Sequence, residues 1–492
     1  MSMIQISNLT FGYDTDTQNI FENVSFNIDT SWKIGLIGRN GKGKTTFLKL
    51  LLGEYKYSGT ITKNVEVDYF PFEVKNEEDL VINIVQEIVP LAEEWQITKE
   101  LNLLNINPEI LYRYFNTLSG GEKVKVLIAS LFLKQNNFLL LDEPTNHLDN
   151  NSRKEVEKYL KDKKGFILVS HDRNLLDNTV DHIISINNTG ISIETGNYSS
   201  WKENKDKQDN FEIKENNKLK SDIKRLEIAA KNTENWSNKV EKSKYGQGVL
   251  DKGYIGHKSA KMMKTSKTIE KRKERQIEEK SNLLKNIDNH YALTMKPAEF
   301  NKNPIIIADN FQIVYDNKKI FSPMSFTVEK GERVAIVGKN GSGKSSIIKL
   351  ILGEKIDYLG NIKIANNLKI SYVSQNTDYL QGSLKQYAQE NEIDESIFKA
   401  MLSKMGVTSK EFEKDIKEYS EGQKKKVLIA RSITQTADIY IWDEPLNYID
   451  ILSRIQIEEA ILKYKPTMIF VEHDETFVEK ISTKKINLIN QN

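Results

Sequence analysis

Two short segments of the chain combine glycines, a lysine and a hydroxyl side chain at the spacing of a phosphate-binding loop. Residues 38–45 read Gly-Arg-Asn-Gly-Lys-Gly-Lys-Thr, and residues 338–345 read Gly-Lys-Asn-Gly-Ser-Gly-Lys-Ser. Glycines let backbone N–H groups surround phosphate oxygens, the lysine reaches the β- and γ-phosphates, and the hydroxyl group binds Mg²⁺. The residues expected to bind ATP in this way are Gly38, Asn40, Gly41, Gly43, Lys44, Thr45, Thr46, Gly338, Asn340, Gly341, Gly343, Lys344, Ser345 and Ser346.

Each loop is followed, about a hundred residues later, by an apolar run that ends in an Asp-Glu pair. Such a run predicts a buried strand whose two carboxylates meet a cation. The aspartate would complete a Mg²⁺ site, and the glutamate would orient and polarise the attacking water. A histidine that follows the next apolar strand is expected to contact the γ-phosphate. The predicted catalytic residues are Glu143, Glu444, His171 and His473, and the predicted Mg²⁺ ligands are Thr45, Asp142, Ser345 and Asp443.

A third repeated segment predicts a helix N-terminus that is free to bind an anion. Residues 118–122 read Leu-Ser-Gly-Gly-Glu, and Ser119 is placed to cap the helix that follows. The backbone N–H groups of Gly120 and Gly121 would then face a phosphate. The second half of the chain has Ser420 and Gly422 in the corresponding segment.

These landmarks recur in one order at offsets of 300, 301, 301 and 302 residues, which indicates a duplicated domain. Around the first loop, residues 33–37 are predicted as a strand and residues 46–52 as a helix, the order that a phosphate-binding loop requires. We therefore predict an α/β fold with one nucleotide-binding domain at 1–197 and a second at 303–492.

The segment between the copies, residues 198–302, is polar, rich in Lys and Glu, and nearly free of proline. Leu219, Ile223 and Leu226 recur at helical spacing, and a second apolar stripe lies downstream. Four glycines near residue 250 interrupt the pattern. We predict an antiparallel α-helical hairpin with arms of about 30 residues, each about 45 Å long, an irregular segment at 244–256, and a basic tip at about 238–260.

Composition excludes several classes of function. The 492 residues include no cysteine, which excludes disulfides, thiolate metal sites and cysteine catalysis. The N-terminus lacks the basic and apolar regions of a signal peptide, and no window approaches the roughly 18 apolar residues of a membrane span. We therefore expect a cytoplasmic protein with no membrane part.

Positive charge is concentrated in the linker. Residues 231–275 hold 13 Lys and Arg against 5 Asp and Glu, a net charge of +8, whereas the whole chain carries +2. This favours a polyanionic partner, with lysines on phosphates and aromatic rings stacked on nucleobases. A solvated helical spacer is the alternative, as is a Leu250 side chain that packs back on Tyr254. The tip residues expected to face nucleic acid are Lys244, Tyr245, Val249, Leu250, Tyr254, His257, Lys258, Lys261 and Lys264.

The order of phosphate loop, Leu-Ser-Gly-Gly-Glu segment, Asp-Glu strand and histidine resembles the ABC ATPase superfamily, in both copies. In that family two cassettes face each other head to tail. Each ATP lies between the phosphate loop of one cassette and the signature segment of the other. The resemblance implies that Ser420 and Gly422 complete the first site, here called site one, and that Ser119, Gly120 and Gly121 complete the second, site two.

The same resemblance implies further contacts and two departures. Tyr13 and Tyr315 occupy the position of an aromatic ring that stacks on adenine, and a core aromatic is the alternative. Gln375 matches a glutamine of the family that binds Mg²⁺ and nucleotide, whereas the first copy has Phe72 there. The second signature segment has Glu421 where glycine is usual. Both departures fall on site one, so we expect it to be the weaker catalyst.

Tandem cassettes joined by a basic helical hairpin resemble the ABC-F family of ribosome-associated ATPases, and most nearly its Lsa-type antibiotic-resistance proteins. Segments that carry this resemblance lie at 32–41, 163–173, 258–264 and 441–448. It implies a monomer that inserts its linker at the tRNA exit site of the bacterial ribosome, against large-subunit rRNA and P-site tRNA. There it would release lincosamides, pleuromutilins and streptogramin A, and ATP hydrolysis would drive its dissociation.

Two other readings of the sequence stay open. A housekeeping ABC-F translation factor that acts on stalled or empty ribosomes would share almost all of these features. An ATPase subunit of a transporter would need separate membrane subunits and would leave the charge of the linker unexplained. DNA-repair ATPases fit poorly, since their coiled coil lies inside a cassette or their zinc sites need cysteine, so DNA is not an expected partner.

Overall fold

The computed structural model describes residues 2–13, 19–146, 148–187, 190–242, 292–298, 303–315, 318–339 and 341–489, together with Lys264, Thr268 and Arg272. The chain divides into two compact units. Residues 1–199 and 290–492 form the first unit, and residues 200–289 form the second. Both copies of the sequence repeat therefore belong to one unit.

The first copy alternates strands and helices in the order that its sequence pattern predicts. Its strands are β1 (Met3–Phe11), β2 (Phe21–Asp29), β3 (Lys33–Gly38), β4 (Ser58–Lys63), β5 (Glu66–Phe70), β6 (Asn137–Asp142), β7 (Phe166–Val169), β8 (His182–Asn187) and β9 (Gly190–Thr195). Its helices are α1 (Lys44–Leu52), α2 (Val81–Ile88), α3 (Glu94–Leu103), α4 (Gly120–Leu133), α5 (Asn150–Lys161) and α6 (Arg173–Thr179).

A six-stranded sheet with the order β5-β6-β7-β3-β8-β9 forms the centre of the first copy. Its pairs are parallel except for β8 with β9. The run Phe138 to Leu141 in β6 is at most 2% exposed, as expected for a parallel strand covered on both faces. Because the carboxyl ends of parallel strands lie at one edge of the sheet, β3, β6 and β7 place the phosphate loop, the Asp142-Glu143 pair and His171 close together.

The second copy repeats this plan. Its strands are β10 (Lys296–Pro297), β11 (Ile306–Tyr315), β12 (Lys318–Lys319), β13 (Met324–Val328), β14 (Arg333–Val337), β15 (Tyr358–Ile364), β16 (Ile370–Val373), β17 (Thr436–Ala437), β18 (Ile439–Asp443), β19 (Met468–Val471) and β20 (Lys484–Asn487). Its helices are numbered from α8 here because the linker helix, α7 (Tyr198–Lys242), precedes them: α8 (Lys344–Ile351), α9 (Leu384–Glu390), α10 (Glu395–Lys404), α11 (Glu421–Thr434), α12 (Ile451–Tyr464) and α13 (Glu475–Ile481).

The second copy has a parallel sheet with the order β16-β18-β19-β14-β20. A smaller antiparallel sheet flanks the main sheet in each copy, β2-β1-β4 in the first and β12-β11-β13 with β15 on β11 in the second. The prediction of two α/β nucleotide-binding domains is confirmed at the level of the fold. The helix after the first loop begins at Lys44 rather than at residue 46, because Gly43, with φ of 92°, ends the loop there.

The linker differs in length from its prediction. Helix α7 is 45 residues long, whereas we expected an arm of about 30 residues. Its sequence is polar, and Leu219 and Ile223 are half-buried while Ile213 and Ile228 are exposed, so the apolar stripe that we used marks only part of the helix. Lys264, Thr268 and Arg272 are helical. The other predicted tip residues, from Lys244 to Lys261, lie outside the described residues, and among the described helices none is long and apolar enough to cross a membrane.

Candidate nucleotide-binding sites

The first phosphate loop connects the end of β3 to the start of α1. Gly41 and Gly43 have φ of 77° and 92°, a left-handed conformation that glycine adopts without strain. A Cβ atom on Gly43 would lie 2.6 Å from the side chain of Ile20. The loop therefore needs glycine for both its backbone conformation and the space around it.

The lysine of each loop points back into the loop. Lys44 Nζ donates to Gly38 O at 2.8 Å and to Asn40 Oδ1 at 3.1 Å. Lys344 Nζ donates to Gly338 O and Lys339 O, both at 2.9 Å. Burial lowers the pKa of both lysines, and Asp450 and Glu143 oppose this effect at Lys44. Each ammonium group thus sits in the cradle where phosphate oxygens would replace backbone carbonyls.

The second phosphate loop has the same conformation where it is described. Gly341 and Gly343 have φ of 77° and 89°. Gly338 approaches Leu488 so closely that a Cβ atom would lie 3.0 Å from its side chain. Asn340, predicted to bind nucleotide, lies outside the described residues.

A hydroxyl group and a carboxylate meet beside each loop, as a Mg²⁺ site requires. Thr45 Oγ1 donates to Asp142 Oδ2 at 2.9 Å, and Tyr69 OH donates to the same atom at 3.0 Å. Ser345 hydrogen-bonds the carboxylate of Asp443 in the second copy. Asp443 is 3% exposed, and within the described part of the chain its buried Oδ1 has no hydrogen-bond partner. A buried carboxylate oxygen without a partner can accept a cation, so the residues present fit Mg²⁺, which prefers oxygen ligands.

The two candidate catalytic glutamates share a strained backbone. Glu143 and Glu444 follow their strands with φ of 50° and 47°, which is uncommon for residues other than glycine. In each case the backbone N–H donates to the neighbouring strand, to Val169 O at 2.9 Å and to Val471 O at 3.0 Å. Strain that the surrounding structure maintains is a feature of functional sites.

The candidate histidines lie against these glutamates. His171 Nε2 is 3.2 Å from Glu143 Oε1, and His473 Nε2 is 3.3 Å from Glu444 Oε1. Burial, with Lys44 and Arg454 close by, lowers the pKa of His171 well below its usual value. His171 is therefore neutral near pH 7 and has a single N–H group to donate, either to Glu143 or to a phosphate oxygen.

The two glutamates differ in their surroundings. Burial and the neighbouring Asp142 raise the pKa of Glu143 to about 8. Burial alone would also raise the pKa of Glu444, but hydrogen bonds from His473 and Asn447 outweigh it and lower that pKa. Glu444 Oε2 accepts from Asn447 Nδ2 at 2.8 Å and from Gln375 Nε2 at 2.9 Å. Its carboxylate is thus the better fixed and the more readily ionised of the two.

The tyrosines predicted to stack on adenine lie beside the loops. Tyr13 OH and Thr46 Oγ1 are 2.9 Å apart, and Tyr315 OH donates to Ser346 Oγ at 3.0 Å. The residues are 38% and 45% exposed, which leaves ring surface free for a base. Tyr13 also packs edge-on against Tyr55 at 5.8 Å. Stacking on adenine stays a prediction that this placement permits.

Site one brings together both halves of the chain. Asn40 Nδ2, in the first loop, donates to Tyr448 O of the second copy at 2.7 Å. A Cβ atom on Gly422 would lie 2.8 Å from Asn40 Nδ2 and 2.5 Å from Tyr448 O. Ser420 caps α11 by accepting from Gln423 N at 3.3 Å. The second signature segment therefore faces the first phosphate loop, and only glycine fits at its third position.

Site two lies beside a cavity. A cavity of about 430 Å³ is lined by the second loop and its catalytic residues, among them Lys344, Gln375, Glu444 and His473, and by Leu148 and Arg153 of the first copy. Ser119 caps α4 as predicted, accepting from Glu122 N at 3.3 Å. Within the described part of the chain, Ser119, Gly120 and Gly121 are not among the residues that line this cavity. The structure thus brings Leu148 and Arg153 of the first copy to site two, and the completion of that site by Ser119, Gly120 and Gly121 stays a prediction.

The sequence did not lead us to predict three residues near the contact between the copies, Tyr448, Asp450 and Lys426. Tyr448 has φ of 63° and contacts Asn40. Asp450 Oδ2 pairs with Lys426 Nζ at 2.6 Å, and both side chains are at most 2% exposed. A signal was present, because Asn-Tyr-Ile-Asp at 447–450 repeats Asn-His-Leu-Asp at 146–149, in each copy one residue after Asp-Glu-Pro. Comparison of the two copies beyond the acids would have identified this segment.

The family model described as "ABC transporter" matches the chain twice, over residues 21–146 and 321–447. Each match includes a phosphate loop, a signature segment and an Asp-Glu pair. The two copies described above are therefore both of this type.

Known proteins resemble the chain along almost its whole length. The ribosome protection protein VmlR of Bacillus subtilis (strain 168) is 29% identical over 99% of this chain and 87% of its own length. The ATP-binding protein Uup of Buchnera aphidicola subsp. Acyrthosiphon pisum (strain APS) is 30% identical over 98% of this chain and 80% of its own length. The crystal structure of the complex of archaeal ribosomal stalk protein aP1 and archaeal ribosome recycling factor aABCE1 has a TM-score of 0.62 at 20% identity, covering 98% of this chain and 87% of that chain, and this likeness concerns the fold alone.

Proposed function

Since this chain belongs to the ABC transporter family, as an ATPase with the tandem cassettes of the ABC-F type, we propose that it protects the bacterial ribosome from antibiotics of the peptidyl-transferase centre. The similarity to a protein named for ribosome protection carries this proposal, because it spans 99% of the chain and so includes the linker. In the proposed cycle the ATP-bound chain binds the ribosome from the cytoplasm as a monomer. Its linker enters the tRNA exit site, where the tip, with Leu250 or a neighbour, approaches the drug pocket.

The proposed domains are 1–197, 198–302 with the basic tip at about 238–260, and 303–492. Each proposed ATP site combines a phosphate loop of one cassette with the signature segment of the other. The residues that would hold Mg²⁺ are Thr45 and Asp142 at site one and Ser345, Gln375 and Asp443 at site two. Bound Mg²⁺ would neutralise phosphate charge and orient the terminal phosphate for in-line attack.

The residues of the chain supply the remaining steps. The ammonium group of Lys44 or Lys344 exchanges its loop carbonyls for phosphate oxygens. Glu143 or Glu444 orients and polarises the attacking water, while the neighbouring histidine fixes that glutamate and contacts the γ-phosphate. Closure of the cassettes excludes bulk water, which strengthens each of these interactions. Hydrolysis then separates the cassettes and releases the chain from the ribosome.

Site two is expected to carry most of the turnover. Glu444→Gln should reduce steady-state ATPase activity at least about fivefold, whereas Glu143→Gln should reduce it less than about twofold, since loss of a general base affects only the site that uses it. The reason is that Gln375, Asn447 and His473 all hold Glu444. The measurement is phosphate release at saturating ATP. Equal losses, or a larger loss with Glu143→Gln, would contradict this assignment.

Drug susceptibility tests the proposed function directly. Expression of the chain in a susceptible bacterium should raise the inhibitory concentrations of a lincosamide, a pleuromutilin and streptogramin A, but not that of a drug that binds the small ribosomal subunit. Leu250→Ala should leave ATPase activity and ribosome binding within about twofold and alter protection against one of the three classes more than the others. An equal change for all three would show that Leu250 has no part in drug selectivity.

The alternative, a translation factor that acts without drugs, predicts a different result. It is supported by the similarly extended likeness to Uup, whose name mentions only ATP binding. In that case expression would leave all three inhibitory concentrations unchanged, while ribosome binding would remain dependent on ATP. The ATPase itself is common to both functions.

A further inference from the structure

Two side chains of the second copy join its signature helix, α11, to the segment that follows β16. Glu421 accepts a hydrogen bond from Thr377 Oγ1, and Lys425, one turn further along the helix, donates from Nζ to Ser374 O at 2.7 Å. Thr377 and Lys425 are 3% and 2% exposed. The bond from Lys425 to Ser374 O is shielded from water and therefore strong, whereas the Glu421 side chain is 45% exposed and also pairs with Lys424 at 3.0 Å. We refer to Glu421, Lys425, Ser374 and Thr377 as the clamp.

The first copy cannot form this clamp. Its signature helix has Gly120 and Val124 at the positions of Glu421 and Lys425, and neither side chain has a polar atom. Lys123 does pair with Glu77 at 2.6 Å, but their side chains are 26% and 55% exposed. Surface ion pairs of this kind contribute little. The clamp is therefore a feature of one cassette.

The two ends of the clamp reach different ATP sites. Gln375 lies between Ser374 and Thr377 and donates to Glu444 at site two. Gly422, next to Glu421, packs against Asn40 in the phosphate loop of site one. Each end of the clamp is thus adjacent in sequence to a residue of one ATP site, so a displacement that passes through the clamp can reach both sites.

The segment that holds Gln375 is itself stiff. Ser374 Oγ donates to Asn376 O at 2.6 Å, Asp378 N donates to Asn376 Oδ1 at 2.7 Å, and Leu380 N donates to Thr377 O at 3.0 Å. These bonds join residues two or three positions apart on both sides of Gln375, so we expect the segment to move as a unit with Gln375. The clamp then passes that movement to α11 rather than letting the loop absorb it.

We propose that the clamp couples the two ATP sites, so that ATP bound at site two raises the affinity of site one for ATP. Gln375 engages the nucleotide at site two, and through Thr377 and Ser374 it fixes α11 in the position where Gly422 meets the first loop. By thermodynamic linkage, ATP at site one raises the affinity of site two by the same factor. The inference rests on the assignment of the two ATP sites in the proposed function and does not involve the ribosome.

Equilibrium binding of radiolabelled ATP to the full chain tests the coupling. All variants carry Glu143→Gln and Glu444→Gln so that ATP persists. The Lys344→Ala variant should bind ATP only at site one, and the Lys44→Ala variant only at site two. The sum of their two isotherms is the binding curve expected for independent sites. The intact chain should bind its two ATP molecules with a coupling factor of at least about five, at the lower end of typical allosteric couplings.

Variants of the clamp residues test whether the clamp causes the coupling between the two ATP sites. Thr377→Val, which keeps the shape of the side chain and removes its hydroxyl group, and Lys425→Met should each bring the coupling factor close to one. Thr377→Ser, which keeps the hydroxyl group, and Glu77→Ala, the matched change in the first copy, should leave it near that of the intact chain. A factor near one in the intact chain, or an unchanged factor in Thr377→Val, would overturn the proposal.

The outcomes separate this proposal from the one on which it rests. If the Lys344→Ala chain still bound two ATP molecules, the assignment of the ATP sites would be wrong. If each single-site chain bound one ATP but Thr377→Val left the coupling intact, only the clamp would be excluded. Thermal melting of each variant shows whether a loss of coupling comes with a loss of folding, in which case Thr377→Ser must restore both.

Discussion

The chain that carries both Glu143→Gln and Glu444→Gln is expected to bind ATP normally and to hydrolyse it at least about a hundredfold more slowly, the usual effect of removing a general base. Glutamine preserves the size of each side chain and its contacts with His171 and His473, but it cannot polarise water as a carboxylate does. The cassettes should therefore close on ATP and fail to reopen. In the presence of ATP this variant should accumulate on ribosomes.

Co-sedimentation with ribosomes measures that result. The control is the same chain with Lys44→Ala and Lys344→Ala, which should lose ATP binding and remain in the supernatant. Because we propose that the two ATP sites are coupled, we expect each single Gln variant to remain partly bound to ribosomes as well. If the double Gln variant sedimented no better than the unmodified chain, ATP hydrolysis would not be the step that releases the protein.

Local sequence predicted the parts of each ATP site that one segment can specify. The phosphate loops, the caps of α4 and α11 and the carboxylates after β6 and β18 lie where the sequence placed them, because a few adjacent residues determine each of them. The fixed offset between the repeated segments predicted that the domain occurs twice. The sequence did not predict the length of α7, since a polar helix needs no continuous apolar stripe.

The contacts between the copies could not be predicted in the same way. Asn40 and Tyr448 are 408 residues apart, and the backbone carbonyl that accepts the hydrogen bond exposes no side-chain signal in the sequence. The different pKa values of Glu143 and Glu444 also arise from surroundings rather than from sequence. Glu143 is buried beside Asp142, while Asn447 and His473 hold Glu444. Burial and partner geometry, which a motif does not contain, decide which of the two glutamates ionises more readily.

A second large effect is expected at an ion pair that joins the two copies. Arg173, two residues after His171, donates to Glu458 on α12 through both terminal nitrogens, Nη2 to Oε1 at 2.7 Å and Nη1 to Oε2 at 3.2 Å. Glu458 is fully buried and Arg173 is 8% exposed. Lys480 Nζ also lies near Glu458, at 2.9 Å. Removal of Arg173 would leave a buried carboxylate with one partly exposed partner.

Arg173→Met is therefore expected to weaken the association of the cassettes by about 3 kcal/mol, the lower end of the cost of breaking a buried pair. That cost corresponds to roughly a hundredfold increase in the ATP concentration that gives half-maximal hydrolysis. The double variant Arg173→Met, Glu458→Leu should recover most of the loss, because it removes the uncompensated charge together with its partner. Lys480 remains free to reach solvent in that variant, since its side chain is already 43% exposed.

The chain supplies a matched control at the related position of the other copy. Lys154 pairs with Glu475 at 2.7 Å, again between the cassettes, but these side chains are 62% and 41% exposed. Lys154→Met should change the half-maximal ATP concentration less than about fivefold, since exposed pairs contribute about 1 kcal/mol or less. If Arg173→Met had no larger effect than Lys154→Met, the buried pair would not hold the cassettes together. Failure of the double variant to recover would instead show that Arg173 acts through His171, its neighbour in the sequence, rather than through Glu458.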